Sequence, residues 1–418
     1  MNRASLLSLL FFTFSLFACS KQETALDCPG QGDRVVDVLS GPSSALMAGK
    51  VWAFLSNEYG GRGETVEISR YPFFLNWPLG CQDEYSVSIV KHFAKSVLAN
   101  AYTSLDTYGK FPVGGSIELE PALFEALIPT TRIESQTVVI NNMPDYSGLE
   151  FFPRVSFDPQ YDASTKTLRL DIPNYSTFLG KRHAYLAFWD REASERRAVL
   201  IDLSLGGSEY DYLTQSHLME WQRIAVEGDI KDVRVQEVID QSQGDMVFMG
   251  SETVSNKEVR FLLRADSRPY LIHIATSLVG TSHIRNQAYY PSLPELVQLP
   301  GSPLSRIDYD RKGFSLTCTA PIYLYLSSSN QPYTDRDQQT FQSMIGPGEQ
   351  RLRPPELPPF LQQQDPDIYL PANLFEDGFM YEFWHYPAAE TANDYWRMDE
   401  LDQFALQNYY YERLYRRP

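Results

Sequence analysis

The residues best suited to chemistry in this 418-residue chain are few and scattered. His217 and Glu220 stand three apart in Tyr210–Ala225, a stretch that reads as a helix, where that spacing puts both on one face. Such a pair serves helical metal sites only with further carboxylates from neighbouring helices, so in a β-rich chain it reads as structural. Gly280-Thr281-Ser282-His283 approaches a serine elbow but lacks the closing glycine that the sharp strand-to-helix turn needs. Asp308-Tyr309-Asp310, and Asp158 with Asp162, offer carboxylates to a cation. Calcium takes roughly six to eight oxygens, and neither group has the D-x-D-x-D-G spacing. His385, in Phe383-Trp384-His385-Tyr386-Pro387, reads as a packed histidine. The phosphate-loop, H-E-x-x-H and G-x-S-x-G patterns are absent. Gly30-Gln31-Gly32 has two glycines of a dinucleotide fingerprint but no strand before it. Carboxylates are too plentiful for a glycosidase pair to be picked out. No metal or cofactor is expected, and no catalytic residue is assigned.

Besides Cys19 there are Cys28, Cys81 and Cys318. In an oxidising compartment Cys28–Cys81 is the preferred bridge, because it would staple the N-terminal arm to the first folded segment; Cys81–Cys318 is the competitor. The spacings fit no zinc motif.

The elements that must carry these residues are mostly strands. Val35–Val38, Lys50–Leu55 and Thr65–Ile68 read as strands, with a turn at Gly60–Gly63. Glu84–Tyr102 reads as a helix, with Ile89, Phe93, Val97 and Ala101 at helical spacing. Pro121–Ile128 reads as a second short helix. From 136 the period becomes two. Val138–Ile140 is a strand, and Arg154–Phe157 with Thr167–Ile172 forms a hairpin over Asp162–Thr165. His183–Trp189 with Ala198–Leu203, and Asp245–Met249 with Val259–Leu263, repeat the scheme, and Tyr270–Ala275 and Ala320–Leu326 follow. The fold class expected is β-rich α+β: antiparallel hairpins in a sandwich or propeller-like arrangement, with a few helices. The prolines of 328–372 make that segment a poor helix and a poor central strand, so it reads as an extended piece laid across the domain or a linker. Met398–Arg417 reads as a closing helix, with acids first and arginines last. The chain thus divides into 1–18, 19–33, a β-rich globular domain over 34–327 (mixed to 135, hairpins from 136), the Pro-rich 328–372 and a C-terminal segment, 373–418.

Composition narrows the partners. Hydrophobic residues at 43% and charged residues at 21% describe a folded globular chain. A net charge of −17 repels nucleic acid and anionic headgroups, and suits a basic protein partner. The 26 tyrosines suit either a recognition surface or a tyrosine-rich β core.

The N-terminus gives an address. Arg3 is followed by the apolar run Ser5–Ala18, which closes on Leu16-Phe17-Ala18-Cys19. The run is shorter than the about 20 residues a bilayer-spanning helix needs, and polar Ser20–Thr24 follows. These residues resemble the lipobox signal of bacterial lipoproteins, with Leu three places before the Cys and a small residue just before it; Phe17 is bulkier than usual there. The resemblance covers residues 1–19. It implies cleavage after Ala18, lipidation of Cys19, a mature chain of 400 residues and net charge −18 on a lipid-held tether (19–33), and, with Ser20 rather than Asp next, the outer membrane. The functional expectation is a non-catalytic envelope lipoprotein that binds a protein or glycan partner, one version being an immunity protein against a periplasmic toxin. The alternative is a lipid-anchored hydrolase of envelope glycan, peptide or lipid, with His217 or His283 as helper.

Overall fold

The computed structural model describes residues 36–40, 49–56, 65–68, 73–75, 84–93, 101–112, 115–118, 130–133, 135–154, 156–173, 175–178, 183–203, 208–276, 283–310, 313–330, 338–347, 351–352, 357–365, 368, 375, 379–391, 394–395 and 407–416. Strands dominate. The longest sheet has twelve, in the spatial order Asp245–Thr253, Asp232–Asp240, Tyr270–Ala275, His283–Tyr290, Tyr409–Arg416, Phe379–His385, Tyr323–Asn330, Gln338–Pro347, Ala101–Pro112, Glu84–Phe93, Gly49–Ser56, Val66–Glu67. Every pairing in it is antiparallel except Gln338–Pro347 against Ala101–Pro112. A six-stranded sheet runs Tyr146–Phe152, His183–Asp190, Glu195–Asp202, Ser216–Glu227, Glu258–Arg264, with Leu296–Gln298 joined to Ser216–Glu227.

These sheets stack in layers. The six-stranded sheet meets one end of the long sheet, and Tyr185, Ala187, Ile224 and Phe261 pack with Val233, Val235, Met249 and Ile272. By register Ile224 and Phe261 lie on the face opposite to Tyr185 and Ala187, so Ser216–Glu227 and Glu258–Arg264 turn their other side to this core along part of their length. Along His183–Asp190 and Glu195–Asp202 the face opposite Tyr185 meets a four-stranded sheet, where Leu186, Phe188, Val199 and Ile201 pack with Val138, Ile140, Leu168 and Leu170. His183–Asp190 is therefore buried on both faces, which is why it reads as a continuous apolar run rather than an alternation. The middle of the long sheet is covered by a three-stranded sheet, through Leu304, Ile307, Phe314 and Leu316. Of the two arrangements expected from the sequence, sandwich or propeller-like, this antiparallel, strand-rich layering is consistent with the sandwich. A propeller would have divided the long sheet into blades of four strands.

The hairpins His183–Asp190/Glu195–Asp202 and Asp158–Asp162/Thr167–Ile172 form, the second with its first strand displaced beyond Arg154–Phe157. Four expectations fail. The helix expected over Glu84–Tyr102 gives way to strand wherever the span is described: Glu84–Phe93 and Ala101–Pro112 are paired strands. Val87, Ser88, Ile89 and Val90 are all fully buried, so the two-residue period that marks a strand is erased and a helical spacing survives by accident. Of Tyr210–Ala225 only Tyr212–Gln215 is helical, capped by Asp211, which accepts from the Leu213 N–H at 2.9 Å; Ser216–Glu227 is a strand. Within the expected closing helix, Tyr409–Arg416 is an interior strand of the long sheet, where the β preference of three successive tyrosines outweighs a favourable charge order. Gln338–Pro347, inside the Pro-rich segment, is also an interior strand, its one proline at the last position. The segment's later part does lie across the sheet, with Leu357, Leu361 and Ile368 packed on Trp52, Phe54, Val90 and Leu105.

A fifth expectation is half right. Asp245–Thr253 and Glu258–Arg264 are consecutive strands around Ser255–Lys257, but they pair in different sheets, so the turn is a corner between layers and not a hairpin. Pro121–Ile128 and Gly60–Gly63 lie outside the described residues. Among the described residues no helix is long and apolar enough to cross a membrane.

Candidate functional site

The strands separate most of the chemistry-bearing residues. His217 and Glu220 lie on Ser216–Glu227, where a three-residue offset points them to opposite faces; His217 is half-buried and Glu220 exposed. His283 is buried against the Tyr411 ring, centroids 5.1 Å apart. His385 Nδ1 donates to the Pro321 carbonyl at 2.8 Å. Asp308 pairs with Arg306, and Tyr309 packs on Phe314. Asp162 caps its turn, accepting from the Ser164 N–H and hydroxyl at 2.8 and 2.6 Å. Asp158 faces not Asp162 but Asp171 across the ladder. Those two border an open cleft of about 590 Å³ with Thr137 and Phe157. There the Thr137 hydroxyl, donating at 2.7 Å, holds the Asp171 carboxyl low. Among the described residues no group of His, Cys, Asp and Glu is arranged to hold a metal ion. Cys318 is a free, half-buried thiol, its pKa raised by burial; Cys19, Cys28 and Cys81 lie outside the described residues.

A titratable cluster between two sheets was not picked out from the sequence. Glu237, fully buried on the long sheet, accepts from the Tyr185 hydroxyl of the six-stranded sheet at 2.8 Å. Its Oε2 has no hydrogen-bond partner among the described residues. The Arg264 guanidinium stands 3.9 Å from Glu237 Oε1, approaches the Tyr185 hydroxyl at 3.3 Å, and clasps Asp266 with two bonds of 2.8 and 2.7 Å. Burial raises the Glu237 pKa; the Tyr185 bond and Arg264 only partly oppose it. Burial pulls the His217 ring down, with Arg264 adding to the effect. Burial pushes Asp266 up, but the bonds and charge from Arg264 outweigh it and hold that carboxyl low. A general acid needs both a raised pKa and access to substrate. Glu237 has the first and lacks the second, so this cluster serves as a polar staple between two sheets. One signal was present: Val233, Val235 and Glu237 continue a single inward-facing row, so a charge there is out of pattern.

The same face of the six-stranded sheet reaches solvent beyond the staple. By register, Trp189 opposes Arg196, Ala198 opposes His217, Met219 opposes Arg264, Trp221 opposes Leu262 and Arg223 opposes Arg260. Trp189 is 45% and Trp221 64% exposed. Most of the described aromatics are spent inside: Tyr185, Tyr270, Tyr323 and Tyr395 are fully buried, and a chain of ring contacts runs from Tyr411 through Trp384 and Tyr323 to Tyr395. More than half of the described tyrosines are thus core. Two exposed indoles on one face beside arginines have the composition of a protein-binding hot spot. The sequence alone did not mark them, since a tryptophan's facing is undefined until the sheet's inner side is known.

No protein-family model matches the chain, and no curated protein is similar to it. The functional reading therefore rests on these residues alone.

Proposed function

We propose that the chain is a lipid-anchored envelope protein, held through Cys19, whose task is to bind a protein partner with the outward face that carries Trp189 and Trp221. The exposure of those two indoles, where more than half of the described aromatics are buried, carries this reading. The signal-like residues 1–19 support the anchor. The net charge of −17 supports a partner that is basic as a whole, because a field of that sign speeds encounter with a cationic protein. An immunity protein that blocks a periplasmic toxin is one concrete form.

Affinity capture of the lipidated protein from its native envelope tests the reading. Trp189→Ala/Trp221→Ala should lower recovery of the partner at least tenfold, since hot-spot indoles contribute about 2 kcal/mol or more each. Equal recovery would refute the face. The association rate should fall steeply with salt as the Debye length shortens toward about 8 Å. The anchor has its own test: Cys19→Ser should abolish palmitate labelling, and continued labelling would refute lipidation there. Alkylation of protein taken from the envelope should find Cys318 free and Cys28 protected with Cys81; three reactive thiols besides Cys19 would refute that bridge.

A further inference from the structure

We infer that the contact point around Trp221 receives an acidic segment of the partner, with Arg223 and Arg260 as its carboxylate receptors; this rests on the partner-binding reading above. Arg223 and Arg260 are directly opposed in the ladder between Ser216–Glu227 and Glu258–Arg264. Like charges in that position repel. Elsewhere the fold neutralises strand arginines with an acid two residues away on the same face, as in Arg169–Asp171, Arg197–Glu195, Arg234–Asp232 and Arg264–Asp266. Arg223 has no such acid: its neighbours at that offset are Trp221 and Ala225, and it makes no ion pair among the described residues. Glu258, the carboxylate whose pKa Arg223 helps lower, is already gripped by Arg260 with bonds of 3.1 and 2.7 Å.

A protein of charge −17 therefore presents, beside its most exposed indole, two opposed arginines of which only Arg260 is ion-paired among the described residues. Guanidiniums bind carboxylates in a planar two-bond fork, and the indole supplies apolar area next to it. Glu258–Arg264 is also the terminal strand of its sheet, so a segment can lie along it without meeting a further strand of that sheet. The overall negative charge and this local positive one act at different ranges. The first steers a cationic protein from a distance; the second decides which of its side chains make contact.

The test places a photo-crosslinking residue, p-benzoylphenylalanine, at Trp221 of the full lipidated chain in its native envelope, and sequences the captured peptide. The expected peptide carries net negative charge. Arg223→Glu/Arg260→Glu should cut crosslinking at least tenfold, and changing the peptide's acids to lysine should restore it. Arg223→Gln/Arg260→Gln, which adds no charge of the opposite sign, should give an intermediate loss with an unchanged thermal midpoint. A neutral or basic peptide, or a yield indifferent to these substitutions, overturns the inference. Capture of a partner by the intact protein without crosslinking at position 221 overturns it while sparing the partner-binding reading; absence of any captured partner defeats that reading first.

Discussion

Arg264→Ala should destabilise the protein by about 3–5 kcal/mol at neutral pH, because it leaves Glu237 buried without its counter-charge. The carboxylate would keep one bond, from Tyr185, and an orphaned second oxygen. The pH dependence has a definite sign. Burial raises the folded-state pKa of Glu237 above its unfolded value, so between the two the folded state holds a proton that the unfolded chain has lost. Stability from this group is therefore complete below the ordinary carboxylate range and declines as pH rises through the raised value. Removing Arg264 should steepen that decline, since Arg264 opposes the upward shift. Glu237→Gln should do the reverse: it retains an acceptor for Tyr185, removes the buried charge, and flattens the slope at little cost. Denaturant melts of the three proteins between pH 4 and 8 decide the matter. An Arg264→Ala protein as stable as its parent, or a Glu237→Gln protein with an unchanged slope, would show that the staple does not set the stability of the two-sheet contact.

Phe188→Ala should cost about 3–5 kcal/mol, the usual loss for deleting a fully buried aromatic ring. The ring sits where the six-stranded sheet meets the four-stranded one, 6.2 Å from the Tyr146 ring and 5.8 Å from that of Tyr212. Tyr212 in turn donates to Asp190, which accepts the Glu192 and Ala193 N–H groups of the adjoining hairpin turn. The cavity should therefore loosen both the helical turn Tyr212–Gln215 and the hairpin tip. Trp189→Ala, one residue along, is the control: its side chain is 45% exposed, and surface changes of this kind stay within about 0.5 kcal/mol. Similar losses for the two neighbours would contradict the layer order.

Several features of the chain were decided locally and could be read without a structure. Tyr270–Ala275 and Lys50–Leu55 are strands because short β-branched and aromatic runs suit little else, and the structure places strands at Tyr270–Ala275 and Gly49–Ser56. The turn of Asp162–Thr165 is built by Asp162 itself, through bonds to residues within two positions of it. The net charge and the signal-like N-terminus likewise belong to composition and order alone. What failed were strands whose residues also fit a helical spacing or a helix-like charge order. Glu84–Phe93 loses its two-residue alternation because the sheet is covered on both sides, and Tyr409–Arg416 becomes a strand because His283–Tyr290 and Phe379–His385 leave a slot between them. The staple joins Tyr185, Glu237 and Arg264, separated by 52 and 27 positions, and no local pattern encodes such a meeting. The outward face of Trp221 was equally out of reach. A residue's own type sets its preference for strand or turn; whether its side chain meets a core, a counter-charge or water is set by which strand comes to lie beside it.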